Sequence, residues 1–293
     1  MRREKMKTKI ILDSTSDIPK NWLEKYDIDI VSLHVNWPND ESEPDDTRDE
    51  EELKEFYEKL SNAEQLPKTS QPSIVQFQEA YKKAIDNGYD SILVLTISTK
   101  MSGTYNSALL ASQEFEIPIK VIDTKMASSV IANMARYARE LLESGMDLDD
   151  VVEQLQIARE NKKFHAIFFV SDFDFLVKGG RVSRFSGFVG NLLKIKVGIF
   201  INKDGEMIPF DKVRGYKKAY NMILTKMEEE GVKIGKKIGL IGIHCNAKEH
   251  VEEMLKLIRE RYKLEYFEMS NTGKVISTHV GIGMAGFGIE ILE

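Results

Sequence analysis

The chain has 293 residues, 42% hydrophobic and 30% charged, with a net charge of -6. That is an ordinary globular composition of about two domains, and its acidic balance argues against a general nucleic-acid binder. The single cysteine, Cys245, excludes an intramolecular disulfide and suits a reducing cytoplasm.

In chain order, residues 8–12 predict a strand, then a turn and a helix starting near Pro19, and residues 27–35 a second strand. The apolar run at residues 10–12 is far too short for a secretory signal. No run of about 18 apolar residues predicts a membrane span, so a cytoplasmic protein without stable membrane insertion is expected. Residues 41–55 are acidic and read as a solvated loop running into a helix over 50–60, whose Leu53, Phe56, Tyr57 and Leu60 share one face. A loop over 66–73 ends on Ser73, an N-cap candidate for the helix carrying Ile74, Phe77, Tyr81 and Ala84, which Gly88 stops. Then come a strand at 91–96, a helix at 103–113, a strand at 119–122, a helix at 126–144 closed by Gly145, and a helix capped by Asp147 that runs to about 160.

The second half changes character. Residues 166–170 predict a strand, and 172–178 a helix broken by Gly179-Gly180. Residues 194–201 and 206–210 form a hairpin around Asp204-Gly205. A helix at 214–230, strands at 237–244, 262–268 and 274–279, and a helix at 248–261 complete the chain. The pattern predicts an α/β protein of two α/β domains, 1–163 with an open, mainly parallel sheet and 164–293 with a mixed sheet. Ligands of open parallel sheets sit at the carboxyl ends of the strands. That rule lines up Asp13 to Ser16, Ser98 to Thr104 and Asp123-Thr124 along one edge. With no long apolar stripe left over, a monomer is expected.

Several motifs admit plain structural readings. Gly281, Gly283 and Gly286 match a dinucleotide fingerprint, but that fingerprint needs a complete βαβ unit and an acidic residue about 20 positions on. Only five residues follow Gly288, so close backbone approach at the end of a sheet is the expected role. Gly231 and Gly235 have the wrong spacing for a P-loop. The five histidines and one cysteine show no zinc-ligand spacing, and neither a metal nor a cofactor is expected.

Ser102-Gly103-Thr104 sits on a strand-to-helix turn and leaves three readings open. It could hold a nucleophile, with His279 and Asp13 or Asp123 completing a hydrolase triad. It could be an anion cradle at a helix N-terminus. It could simply cap the following helix. The hydrolase elbow requires glycine two residues before and after the serine, and Lys100 and Thr104 stand there.

Six motifs occur in order: Asp13-Ser14-Thr15-Ser16-Asp17; Lys68-Thr69-Ser70-Gln71-Pro72-Ser73; Ser102 to Ala108; Lys178-Gly179-Gly180-Arg181-Val182; Lys212-Val213-Arg214 with Lys217-Lys218-Ala219; and Thr278-His279-Val280-Gly281. Together they resemble the DegV family, the bacterial fatty-acid-binding proteins of the FakB type, from about residue 8 to the end. Ile282 departs from the family, whose members often have proline there. The resemblance implies a long-chain fatty acid buried between the two domains and delivered to a separate fatty acid kinase subunit. The chain itself would be a carrier and not an enzyme.

By the same resemblance the carboxylate is held at Thr69, Ser102 and Gly103, with Arg181 and His279 beside it. Candidate acyl-tail walls are Phe169, Phe173, Leu176, Phe188, Leu192 and Ile195, with Ile167, Phe168, Phe175 and Leu193 also considered. Most of these apolar residues are equally well explained as core, and only some are expected to line a tunnel. Lys212, Arg214, Lys217 and Lys218 are either a partner-docking patch or a solvated helix face.

Overall fold

A computed structural model describes residues 6–182 and 195–292. The first half runs β1 (Thr8–Asp13), a 3-10 turn over Ser14–Ser16, α1 (Lys20–Lys25), β2 (Ile28–Val31), β3 (His34–Asn36), β4 (Ser42–Pro44), α2 (Glu50–Ser61), β5 (Lys68–Ser70), α3 (Ile74–Asp86), β6 (Ser91–Thr96), α4 (Thr104–Ser112), β7 (Ile119–Asp123), α5 (Ser129–Glu143) and α6 (Leu148–Glu160). Its main sheet is parallel, in the order β2-β1-β6-β7. Every residue of β1 and β6 is buried. That explains why both read as unbroken apolar runs and not as alternating ones.

Two details depart from the sequence expectation. Residues 27–35, expected to form one strand, divide between β2 in the parallel sheet and β3 in a separate antiparallel sheet ordered β4-β3-β5. Thr69-Ser70, expected in a loop, lies in β5 opposite Val35 and His34. With three residues and an exposed–partial–exposed pattern, β5 carries too little hydrophobic periodicity to be recognised. The α3 cap is as expected: Ser73 and Gln76 form a reciprocal capping box.

The second half runs β8 (Phe164–Val170), α7 (Asp174–Gly179), β9 (Ile195–Ile201), β10 (Met207–Arg214), α8 (Tyr216–Glu229), β11 (Lys237–His244), α9 (Lys248–Arg259), β12 (Lys263–Asn271), α10 (Lys274–Val280) and β13 (Ala285–Ile291). The six-stranded mixed sheet has the order β10-β9-β8-β13-β11-β12. Residues 274–279, expected as a strand, form α10 instead. Val275 and Ile276 are the only apolar residues of that run, too few to reveal its period, and here the residues pack between α7, α2 and β3.

Helix α5 joins the halves. It packs on β1 and β6 of one sheet and on β8, β11 and β13 of the other, with the stretch from Ser129 to Arg136 entirely buried. Gly288 makes this possible: a Cβ there would lie 2.6 Å from Ser129 Oγ and from the Val130 nitrogen. Arg136 Nη2 pairs with buried Glu290 at 2.6 Å, tying α5 to β13. The largest apolar cluster accordingly contains Leu12 and Leu95 together with Phe168 and Ile243.

Candidate functional site

The loops after β1, β5 and β6 and the N-terminus of α5 face β8, β13 and α10 across a cavity of about 250 Å³. Thr69, Ser102, Gly103, Arg181 and His279 all border it. They lie far apart in sequence, and β5, the turn before α4, the exit of α7, and α10 bring them together. The rest of the wall is mostly apolar, including Ile97, Met101, Phe168, Ile243, Met284 and Phe287.

His279 is 8% exposed, and its Nε2 lies 2.8 Å from Thr69 Oγ1. Burial, assisted by the Arg181 charge, pushes its pKa down to about 4, so the ring is neutral at pH 7. Its Nδ1 has no hydrogen-bond partner among the described residues and faces Gly179, where a Cβ would lie 2.5 Å away. Gly180, at φ +67°, ends α7 in the left-handed conformation. The two glycines thus have separate tasks: one clears space for the imidazole, and the other turns the chain so that Arg181 reaches the cavity. Arg181 Nη1 donates to the Gly179 carbonyl at 2.6 Å, which orients the guanidinium.

Ser102 Oγ lies 2.9 Å from Thr104 Oγ1 and accepts a long 3.4 Å bond from the Thr104 amide. It therefore contributes to the start of α4 while bordering the cavity. At Gly103 a Cβ would fall 2.1 Å from Gln71 Oε1, so any side chain there would displace the Gln71 amide. Gln71 crosses that gap and donates from Nε2 to Ser107 Oγ at 2.8 Å, fastening the segment after β5 to α4.

A hydrolase triad is not assembled. The Nε2 of His279 faces Thr69, not Ser102. Asp13 accepts from the Ile97 amide at 2.7 Å, and Asp123 from Thr99 Oγ1 at 2.7 Å, so neither aspartate orients the imidazole. A base with a pKa near 4 would also be weak at neutral pH.

The expected acyl-tail walls need correction. Phe169, Phe173, Leu176 and Ile195 do not border this cavity. Side chains alternate along a strand, so Ala166 and Phe168 of β8 face the cavity, while Phe169 packs on the opposite side with Tyr216 and Tyr220. Phe173, Leu176 and Ile195 pack in or against the main core. Phe188, Leu192 and Leu193 lie outside the described residues. Sequence reasoning also missed the contributions of α10, namely Val275, Ile276 and Val280, because the local pattern of residues 274–279 suggests a strand.

A buried polar network positions α10 and hence His279. Asp17 Oδ1 accepts from the Gly273 amide at 2.7 Å, and Asp45 Oδ1 from the Lys274 amide at 2.8 Å. Arg48 lies between the carboxylates, 3.5 Å from Asp17 and 3.0 Å from Asp45. Ser128, in a left-handed conformation at φ +63°, donates to Asp17 at 2.5 Å. Burial pushes the Asp17 carboxyl up to about 7 despite Arg48, and the Asp13 carboxyl up to about 6.

On its other side, the partition made by Thr69, Arg181 and His279 borders a second, more polar cleft of about 670 Å³. The inner cavity and this cleft therefore share three side chains.

The DegV family, described as "Uncharacterised protein, DegV family", matches residues 7–291. A "Fatty acid-binding protein" of Thermotoga maritima is 51% identical, over 98% of this chain and 99% of its own length. A crystal structure of a DegV lipid binding protein from the same organism superposes with a TM-score of 0.93 at 50% identity, covering 98% of this chain and 99% of that one. Another T. maritima structure, reported to reveal fatty acid binding function, gives a TM-score of 0.91 at 48% identity, with 98% and 100% coverage. With its cavity bordered by residues from five of the six motifs that carried the resemblance, and with the match running through nearly every residue, this chain belongs to the DegV family.

Proposed function

We propose that this protein binds one long-chain fatty acid in the cavity and presents its carboxylate to a separate kinase, which converts it to an acyl phosphate for phospholipid synthesis. In this reading the protein is a cytoplasmic, monomeric carrier without catalytic residues of its own. Residues 1–163 supply the hydroxyl motifs, and residues 164–293 supply most of the acyl wall. The observation that carries the reading is a largely apolar cavity bordered by Thr69, Ser102, Arg181 and His279.

The chemistry suits a carboxylate. Burying one without partners is costly. Two hydroxyls and one guanidinium can receive it, and the neutral imidazole beside Thr69 adds no fixed charge. At about 0.8 kcal/mol per methylene, a tail of roughly 16 carbons gains on the order of 12 kcal/mol gross, reduced substantially by ordering. The tail therefore supplies most of the affinity, and the polar end sets orientation.

Native mass spectrometry tests the carrier reading. The purified protein, as isolated or after incubation with palmitate, is expected to carry one long acyl chain, and a spectrum of bare protein in both cases would overturn the proposal. The head-group assignment is checked separately with Thr69→Ala combined with Ser102→Ala. Losing two hydrogen bonds to a charged group is worth about 3 kcal/mol, roughly a hundredfold in Kd. A double variant with wild-type palmitate affinity would show that these hydroxyls do not hold the carboxylate.

A further inference from the structure

The outer cleft shares Thr69, Arg181 and His279 with the inner cavity and adds two cations, Lys68 and Lys178. Lys68 precedes Thr69 on β5, and Lys178 lies in the last turn of α7, just before the two glycines. Both lysines are exposed. Neither forms an ion pair among the described residues. The same cleft also contains Glu64, Asp172 and Asp174. Asp172 is partly engaged, since its Oδ1 accepts from the Asp174 amide at 2.9 Å at the start of α7.

We infer that this cleft is a phosphate subsite, in which Lys68 and Lys178, together with Arg181, hold the phosphoryl group once it is bonded to the carboxyl of the bound acid. The inference rests on the fatty-acid reading above. With the tail in the inner cavity, the carboxyl group meets the partition, and among the described residues the cleft borders its other side. In the transfer, a carboxylate oxygen forms a bond to the terminal phosphorus of a nucleoside triphosphate held by the kinase. The bond from that phosphorus to the bridging oxygen breaks, and the nucleoside diphosphate leaves with the electron pair. The product is a mixed carboxylic–phosphoric anhydride. Its phosphoryl oxygens are too polar and too charged for the apolar cavity, whereas the cleft offers lysine ammonium groups as point-charge partners.

The probe is the β-ketophosphonate analogue of palmitoyl phosphate, in which CH2 replaces the bridging oxygen. Its affinity is compared with that of palmitate by titration calorimetry. In the Lys68→Gln/Lys178→Gln variant, the phosphonate is expected to bind about tenfold more weakly, with a difference that shrinks as salt rises. Palmitate affinity is expected to stay within about twofold of wild type, because its carboxylate stops at the partition. Glu64→Gln removes an opposing charge and is expected to strengthen phosphonate binding only. Unchanged phosphonate affinity in the double lysine variant would overturn the inference, as would wild-type protein that binds palmitate but not the phosphonate. Wild-type protein that binds neither would instead defeat the underlying carrier reading. Both lysines are exposed, so loss of folding does not confound the comparison.

Discussion

Replacing Ala166 by Phe is expected to weaken palmitate binding by about two orders of magnitude while leaving the protein folded. Ala166 lies on β8 opposite Gly288, and both residues border the cavity. Ala166 faces the cavity, so a phenyl ring in its place would project into it. Excluding about four methylenes at roughly 0.8 kcal/mol each removes about 3 kcal/mol of binding. That corresponds to a factor of roughly 150 in Kd. Introducing a larger side chain into a packed core costs about 1–3 kcal/mol, but here the ring enters a cavity, so the melting temperature is expected to change little. A shorter acid such as octanoate, which needs less of the tunnel, is expected to lose less. Palmitate affinity within threefold of wild type, with an unchanged melting temperature, would show that the tail does not run past β8.

The second large effect concerns the polar network that holds α10. Arg48→Met is expected to cost about 3–5 kcal/mol of folding stability at pH 8, because it leaves a buried carboxylate pair without its cation. Acidification should recover part of that loss. Asp17 titrates at about 7 in the fold, because burial outweighs Arg48, against an ordinary 3.8. Between these values the folded state holds more protons than the unfolded one, so stability from this group rises as pH falls and is lost as pH rises through 7. Removing Arg48 raises the folded value further and makes the variant's gain on acidification larger than wild type's.

The histidines pull the other way. Burial depresses His165, His244 and His279 to about 4, so their contribution is present above about 6.5 and fades as pH falls toward 4. They are common to both proteins and largely cancel in the difference. Urea unfolding at pH 8 and pH 5 reads the effect as a narrowing gap between variant and wild type. A gap that is constant or widens with acid would show that the Asp17 carboxylate is not what Arg48 compensates.

Much of the site was legible in the sequence because its polar motifs are local. Ser102-Gly103-Thr104, Gly179-Gly180-Arg181 and Thr278-His279-Val280-Gly281 each set a short backbone geometry, and their order along the chain carried the resemblance. The physical reasons for the glycines were not legible. A side chain at Gly103 would meet Gln71, and one at Gly179 would meet His279, contacts across 32 and 100 residues of sequence. The apolar wall of the cavity was the least readable part. Phe168 and Phe169 are adjacent and chemically identical, and only the register of β8 in its sheet decides that one faces the cavity and the other the opposite core.

By itself, the sequence determined the α/β class, most helix and strand positions, the helix caps at Ser73 and Asp147, and, through the motifs that resemble the DegV family, a set of polar residues that border the cavity. Periodicity, capping and turn chemistry are properties of a few neighbouring residues, so they survive without knowledge of the fold. Tertiary structure alone decided that β2 and β3 part into different sheets and that residues 274–280 coil into α10. It also decided that His279 stays neutral beside Thr69, and that a polar cleft lies behind the same three side chains. Those outcomes depend on burial and on contacts between distant segments, which short-range sequence patterns do not specify.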